Sequence, residues 1–201
     1  PEANCLAGTP PCPLLIGLHS NMSTAQDSIE FWRAAASEGW LVAVPQSSQA
    51  VWNGAYVWNN LEVSVWEIER HYQSIAEQYN IDEERTTIAG HSMGGEIAIW
   101  FALSGKIPNQ GFIAYGPGGP FMEDLDKWNP LIANAQGKGI RGYILMGDED
   151  NTIPRDNILK FIDILNEHEI SCEYESVPHA GHDFVNHYEA GLIRALRFLN
   201  L

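Results

Sequence analysis

Basic residues are scarce in this chain. Lysine and arginine together number 11 against 26 aspartates and glutamates, a net charge of −15 over 201 residues. Such a surface repels phosphate backbones and anionic membranes, so nucleic-acid binding is disfavoured. Long apolar runs are missing too, and no stretch approaches the ~18 residues that mark a membrane span. Cysteine is limited to three residues. Cys5 and Cys12 flank LAGTPP and would close a small loop in an exported protein, but the expectation is two reduced surface thiols. Cys172, in a strand-like segment, is expected to be a packed, inert thiol. No repeat, linker or low-complexity tract divides the chain, and no signal segment is visible ahead of Pro1. A cytoplasmic location is therefore expected, or secretion if an upstream signal segment is missing.

What is present is a globular composition, 45% hydrophobic and 18% charged, of a length that fits one domain with one sizeable core. Short apolar runs at 14–20, 40–46, 86–92, 111–117, 142–148 and 172–178 read as strands. Most are too continuously apolar to have a wet face, the signature of buried parallel strands. Between them lie helical patterns near 24–37, 93–103, 155–168 and 187–199. A long one carries Leu61, Val65, Ile68, Tyr72, Ile75 and Tyr79 at alternating spacings of four and three. The βαβα order predicts an α/β fold, a mostly parallel central sheet with helices on both faces.

Ligands of such sheets bind at the carboxyl ends of the strands. The residues just past those ends include His19, Ser20 and Asn21, the 46–60 segment, His91 and Ser92, Asp148 and Asp150, and 179–183. The pentapeptide GHSMG (90–94) is the sharpest signal among them. It satisfies G-x-S-x-G between a strand and a helix, where a serine sits on a strained turn with its hydroxyl projecting from the sheet. Gly90 and Gly94 remove side chains where the turn is tightest, Gly95 permits close helix packing, and the Met93 N–H at the helix start points toward the same spot.

With GLHSN, GHSMGG, GDEDNTIP and HAGHDF in that order, the chain resembles the α/β-hydrolase superfamily from Leu14 onward. Within it, the resemblance is to small serine esterases of the phospholipase/carboxylesterase and polyester-depolymerase-like groups. It implies Ser92 as nucleophile, His182 as its base and Asp150 as the acid behind the histidine. His179 is the alternative base, and Asp148 is expected to shape its loop. His179 and His182 at H-x-x-H spacing would also suit a metal, but no further ligand cluster accompanies them. The oxyanion hole is expected from the N–H groups of Met93 and Asn21, with Ser20 as the alternative. Where the resemblance calls for His-Gly-x, this chain has His19-Ser20-Asn21.

His91 is expected to support the pocket and His19 its own loop, while His71, His168 and His187 read as solvated helix positions. Trp52, Tyr56 and Trp58 fall on a rim loop where aromatic rings could meet substrate; His19, Ser20, His91, Trp52 and Trp58 are the candidate substrate-binding residues. The single domain, 1–201, carries an irregular excursion at 117–137. There Phe121, Met122, Leu125 and Trp128 form either a small lid or a plain structural crossover. The expected activity is that of a serine carboxylesterase acting on a small-molecule ester through an acyl-enzyme, without metal or organic cofactor. Thioesterase, peptidase and non-catalytic binding protein are the alternatives. A small chain with no large cap suits short acyl groups, and nothing in the sequence sets an oligomeric state.

Overall fold

The computed structural model describes residues 5, 6, 8–183 and 188–200; His187 lies outside them. Six strands form one sheet: β1 (Cys12–Leu18), β2 (Leu41–Ala43), β5 (Ile81–His91), β6 (Gly111–Tyr115), β7 (Arg141–Gly147) and β8 (Cys172–Val177). Their spatial order is β2-β1-β5-β6-β7-β8, and every neighbouring pair is parallel. This is the α/β-hydrolase arrangement that the sequence predicts. A small antiparallel hairpin of β3 (Ala50–Trp52) and β4 (Ala55–Tyr56) stands apart from it.

Apolar residues alternate between two cores, which is why these strands read as unbroken hydrophobic runs. Leu14, Ile16, Leu18, Phe112, Ala114, Ile144 and Met146 face one cluster, shared with α3 (Leu61–Gln78), α4 (Met93–Ser104) and α6 (Arg155–Glu167). Leu15, Ile113, Tyr115, Tyr143 and Leu145 face the other, shared with α2 (Arg33–Ser37) and α7 (Tyr188–Leu199). The helical pattern near 24–37 is divided into α1 (Ala25–Ser28), a 3₁₀ turn and α2. Thr24 caps α1 reciprocally with Asp27, each satisfying a backbone N–H that a helix start leaves open.

One expectation changes, and one pair of alternatives is narrowed. Cys5 and Cys12 are joined in a disulfide and both are buried, so they are not reduced surface thiols. The reason lies far along the chain. The Asn80 N–H donates to Cys5 O at 2.8 Å and the Cys12 N–H donates to Asn80 O at 2.9 Å. One residue at the start of β5 thus holds both cysteines, with their Cα atoms 5.5 Å apart. The 117–137 segment is a crossover from β6 to β7 that includes α5 (Asn129–Ala135). Trp128 is fully buried between Phe121 and Phe161 and Met122 is buried as well, so these two side chains belong to the core and not to a lid. Cys172 is buried, and burial pushes its thiol pKa up, as expected of an inert packed cysteine. Among the described residues no helix is long and apolar enough to cross a membrane.

Candidate active site

Ser92 follows β5, the longest strand of the sheet, and stands directly before α4. Its backbone is left-handed, φ 55° and ψ −122°, a conformation costly for a residue with a Cβ and found where surrounding structure enforces it. Three backbone bonds do so: the Ser92 N–H donates to Tyr115 O at 2.9 Å, and its carbonyl accepts from Glu96 and Gly118. The flanking glycines are sterically required. A Cβ on Gly90 would lie 2.1 Å from Gly94 O, and one on Gly94 would lie 2.4 Å from His19 O. The second contact matters most, because it lets α4 start against the loop that leaves β1.

Two other strand ends deliver the partners of Ser92. The His182 Nε2 is 3.0 Å from Ser92 Oγ, and its Nδ1 is 2.8 Å from Asp150 Oδ2. A carboxylate can only accept, so Nδ1 carries the proton and Nε2 is left bare to receive the serine hydroxyl. Asp150 is sealed from solvent in its side chain. Its other oxygen, Oδ1, accepts from the N–H groups of Thr152 at 2.8 Å and Ile153 at 3.1 Å, which fix the carboxylate plane. His91 is buried behind the histidine. Its Nε2–H donates to His182 O at 3.0 Å, and burial, then the nearby His182, lower its pKa to about 4. It therefore acts as a neutral donor.

Asp148 and His179 stand apart from this chain of bonds. Asp148 Oδ1 accepts from the His179 N–H at 2.7 Å, and the His179 ring is 89% exposed beside Glu149. Asp148 thus ties the β7 and β8 loops together. Among the described residues no group of three or more His, Cys, Asp and Glu converges as a metal site.

The loop after β1, which continues into Ser20 and Asn21, meets the start of α4 through the His19 carbonyl beside Gly94. It is held by His19, which is fully buried and so does not reach out to a ligand as the sequence suggested. Its Nδ1–H donates to Ser20 O at 2.8 Å, and its Nε2 accepts from Gln46 Nε2 and the Ser47 N–H, both at 3.3 Å. Gln46 Oε1 is committed to the Ala25 N–H, which fixes its amide the right way round. Burial lowers the His19 pKa and keeps the ring neutral. Trp58 is buried rather than exposed, stacks at 4.8 Å on His19 and donates from Nε1 to His19 O at 2.9 Å. Trp52 is 61% exposed on the β3–β4 hairpin.

Beside the serine lies a cavity of about 240 Å³, lined by Trp58, Leu61, Met93, Ile97, Trp100 and Phe121, with Asn59 and Glu96 as polar groups. Sequence reading missed Glu96 and also Gly116. Gly116 has φ 46°, and a Cβ there would sit 3.2 Å from both Asp150 Oδ2 and His182 Nδ1. Its position just past β6, at the carboxyl rim, was the available signal. Glu96 is 3% exposed in the first turn of α4, and an acid inside an otherwise apolar helix was the clue to it.

Solved structures share this architecture. An uncharacterized protein from Bacillus cereus is 25% identical with a TM-score of 0.86; 100% of this chain matches 64% of that one. The chain thus spans less than two thirds of that protein's length. S-formylglutathione hydrolase FrmB from Staphylococcus aureus is 21% identical with a TM-score of 0.70, over 94% of this chain and 81% of that one. FphF, a fluorophosphonate-binding serine hydrolase of the same organism, is 20% identical with a TM-score of 0.68, over 96% and 86%. The last two likenesses show the fold alone. No curated protein sequence matches the chain. The dienelactone hydrolase family profile matches residues 24–195, spanning the serine turn, the acid loop and the histidine loop. With that span added to the six-stranded parallel sheet, the chain belongs to the dienelactone hydrolase family of the α/β-hydrolase superfamily.

Proposed function

We propose that this protein is a serine hydrolase of carboxylic esters. The observation that carries the reading is the unbroken path from Ser92 Oγ through both ring nitrogens of His182 to Asp150 Oδ2, at 3.0 and 2.8 Å. A serine hydroxyl is a weak nucleophile at neutral pH and needs a base in contact. Ser92 attacks the ester carbonyl while His182 Nε2 takes its proton. Asp150 holds the tautomer and stabilises the imidazolium. The Met93 and Asn21 N–H groups, which have no acceptor among the described residues, bind the oxyanion. His182 then protonates the leaving alcohol, and water releases the acyl group by the reverse path. The cavity is smaller than the ~300 Å³ at which drug-sized pockets begin, which supports a compact acyl or alcohol group over a long chain.

An ester-mimicking fluorophosphonate should leave one adduct, on the peptide spanning Gly90 to Gly94. Ser92→Ala should abolish labelling and lower kcat by roughly 10⁶-fold. Labelling that persists in Ser92→Ala would remove the serine from its role. Turnover of matched ester, thioester and amide substrates tests the bond type; esters should lead.

A further inference from the structure

Among the described residues Glu96 is the one acid lining the cavity. Only one of its oxygens is engaged by the protein. Oε2 accepts from the N–H groups of Phe121 at 3.0 Å and Met122 at 2.8 Å. Oε1 accepts no hydrogen bond among the described residues, yet it is not one of the side-chain atoms sealed from solvent without a partner. Oε1 lies beside Gly119, where a Cβ would come within 2.4 Å of it, and a buried carboxylate oxygen without a hydrogen bond in the wall of an apolar cavity is costly unless a ligand completes it. Around it, Trp58, Trp100 and Phe121 offer aromatic surface. The volume of about 240 Å³ suits one ring with a substituent.

We propose that this cavity is the specificity subsite of the enzyme and takes a compact apolar ring whose far end carries a hydrogen-bond donor, hydroxyl or ammonium, received by Glu96 Oε1. The proposal rests on the ester-hydrolase reading for which molecule carries the ring, but the binding chemistry stands without turnover. A ring ending in a carboxylate is rejected by like charge, and a methoxy end offers the acceptor nothing. Burial raises the Glu96 pKa to about 7, with Glu123 and Lys127 the charged groups acting on it, so the acceptor is fully developed above neutral pH.

The test measures binding to Ser92→Ala protein by calorimetry at pH 8.5. Two probe series put the ring on either side of the ester: methyl 3-phenylpropanoates and benzyl acetates. Each carries 4-hydroxy, 4-aminomethyl, 4-methoxy or 4-carboxylate ends. In one series the hydroxy or aminomethyl probe should bind at least ~10-fold tighter than the methoxy probe, the scale of a hydrogen bond to a charged group, with the carboxylate weakest. The hydroxy and aminomethyl arms separate a neutral donor from a cation.

Adding Glu96→Gln keeps one oxygen for the Phe121 and Met122 N–H groups but turns an NH₂ toward the cavity. The preference for hydroxy over methoxy should then fall to within about threefold, which loss of a purely structural clamp would not produce. If that variant does not fold, the Ser92→Ala protein at pH 5.5 replaces it: with Glu96 protonated, the aminomethyl advantage should vanish. Equal binding of hydroxy and methoxy probes in both series overturns the proposal, as does a preference untouched by Glu96→Gln. Ser92-dependent hydrolysis of 4-nitrophenyl acetate, measured alongside in protein with the serine intact, reports on the reaction separately.

Discussion

Two buried carboxylates flank Ser92, and they are built alike. Asp150, just past β7, uses Oδ1 to hold the N–H groups of Thr152 and Ile153. Glu96, one turn into α4, uses Oε2 to hold those of Phe121 and Met122. Each therefore spends one oxygen on freezing a loop. They differ in the second oxygen: Asp150 gives it to His182 at 2.8 Å, whereas that of Glu96 accepts no hydrogen bond among the described residues and the residue lines a cavity. In the proposed roles, the acid whose two oxygens are both occupied orients a base and the one with an oxygen to spare reads a ligand. The backbone bonds are the shared part, and the fate of the remaining oxygen separates the two uses.

The largest effect should come from breaking the Asp150 side of this comparison. Asp150→Asn keeps the size and one acceptor but can favour the wrong histidine tautomer, a change that costs ~10⁴-fold in a serine protease. We expect kcat to fall at least ~10²-fold with KM little changed. An active Asp150→Asn enzyme would mean that the acid lies elsewhere.

The Glu96 side should show itself in stability. Its pKa rises from 4.5 to about 7 on folding, chiefly through desolvation, so the native state holds the proton more tightly than the unfolded chain. The resulting stabilisation is complete below about pH 4.5 and lost as pH rises through about 7, on the order of 3 kcal/mol across that window. Relative to wild type, Glu96→Gln should therefore gain stability as pH is raised from 4.5 to 8 in denaturant titrations. A difference between the two proteins that stays flat with pH would count against a strained, protonatable Glu96.

The smallest effect sharpens the contrast with an acid that is close but outside the path. Asp148 accepts from the His179 N–H, while among the described residues the bonded path to His182 and Ser92 runs from Asp150. Asp148→Asn keeps an acceptor for that bond and should cost less than ~10-fold in kcat. If this change is the crippling one while Asp150→Asn stays active, the acid moves two residues back along the loop.

The six strands of the main sheet, the central helices and the serine turn were legible because local rules write them, whereas the β3–β4 hairpin reads in the sequence as a rim loop. Strand segments buried on both faces are apolar nearly throughout, as in β1, β6 and β7, and a turn packed against backbone tolerates only glycine at 90 and 94. Asp148, Asp150 and the 179–183 segment were legible as rim positions past β7 and β8, and the choice of Asp150 and His182 among them rested on the family resemblance. Other features depended on contacts between distant segments. In the sequence Glu96 is a polar residue in an apolar helix, and its partners lie 25 and 26 residues away.

What the sequence by itself determined is therefore the sheet, its order of strands and helices, and the arrival of a serine, an acid and a histidine at one rim. Short-range sterics and hydrophobic periodicity are enough for that. Only the tertiary structure decided that Cys5 meets Cys12 across Asn80, that His19 and Trp58 are buried supports, and that Gly116 leaves room for the Asp150–His182 bond. It also decided that Glu96 has one oxygen left over. Each of these turns on which donor or atom lies within about 3 Å of another, a distance fixed by packing separate elements together and not by any neighbour in the chain.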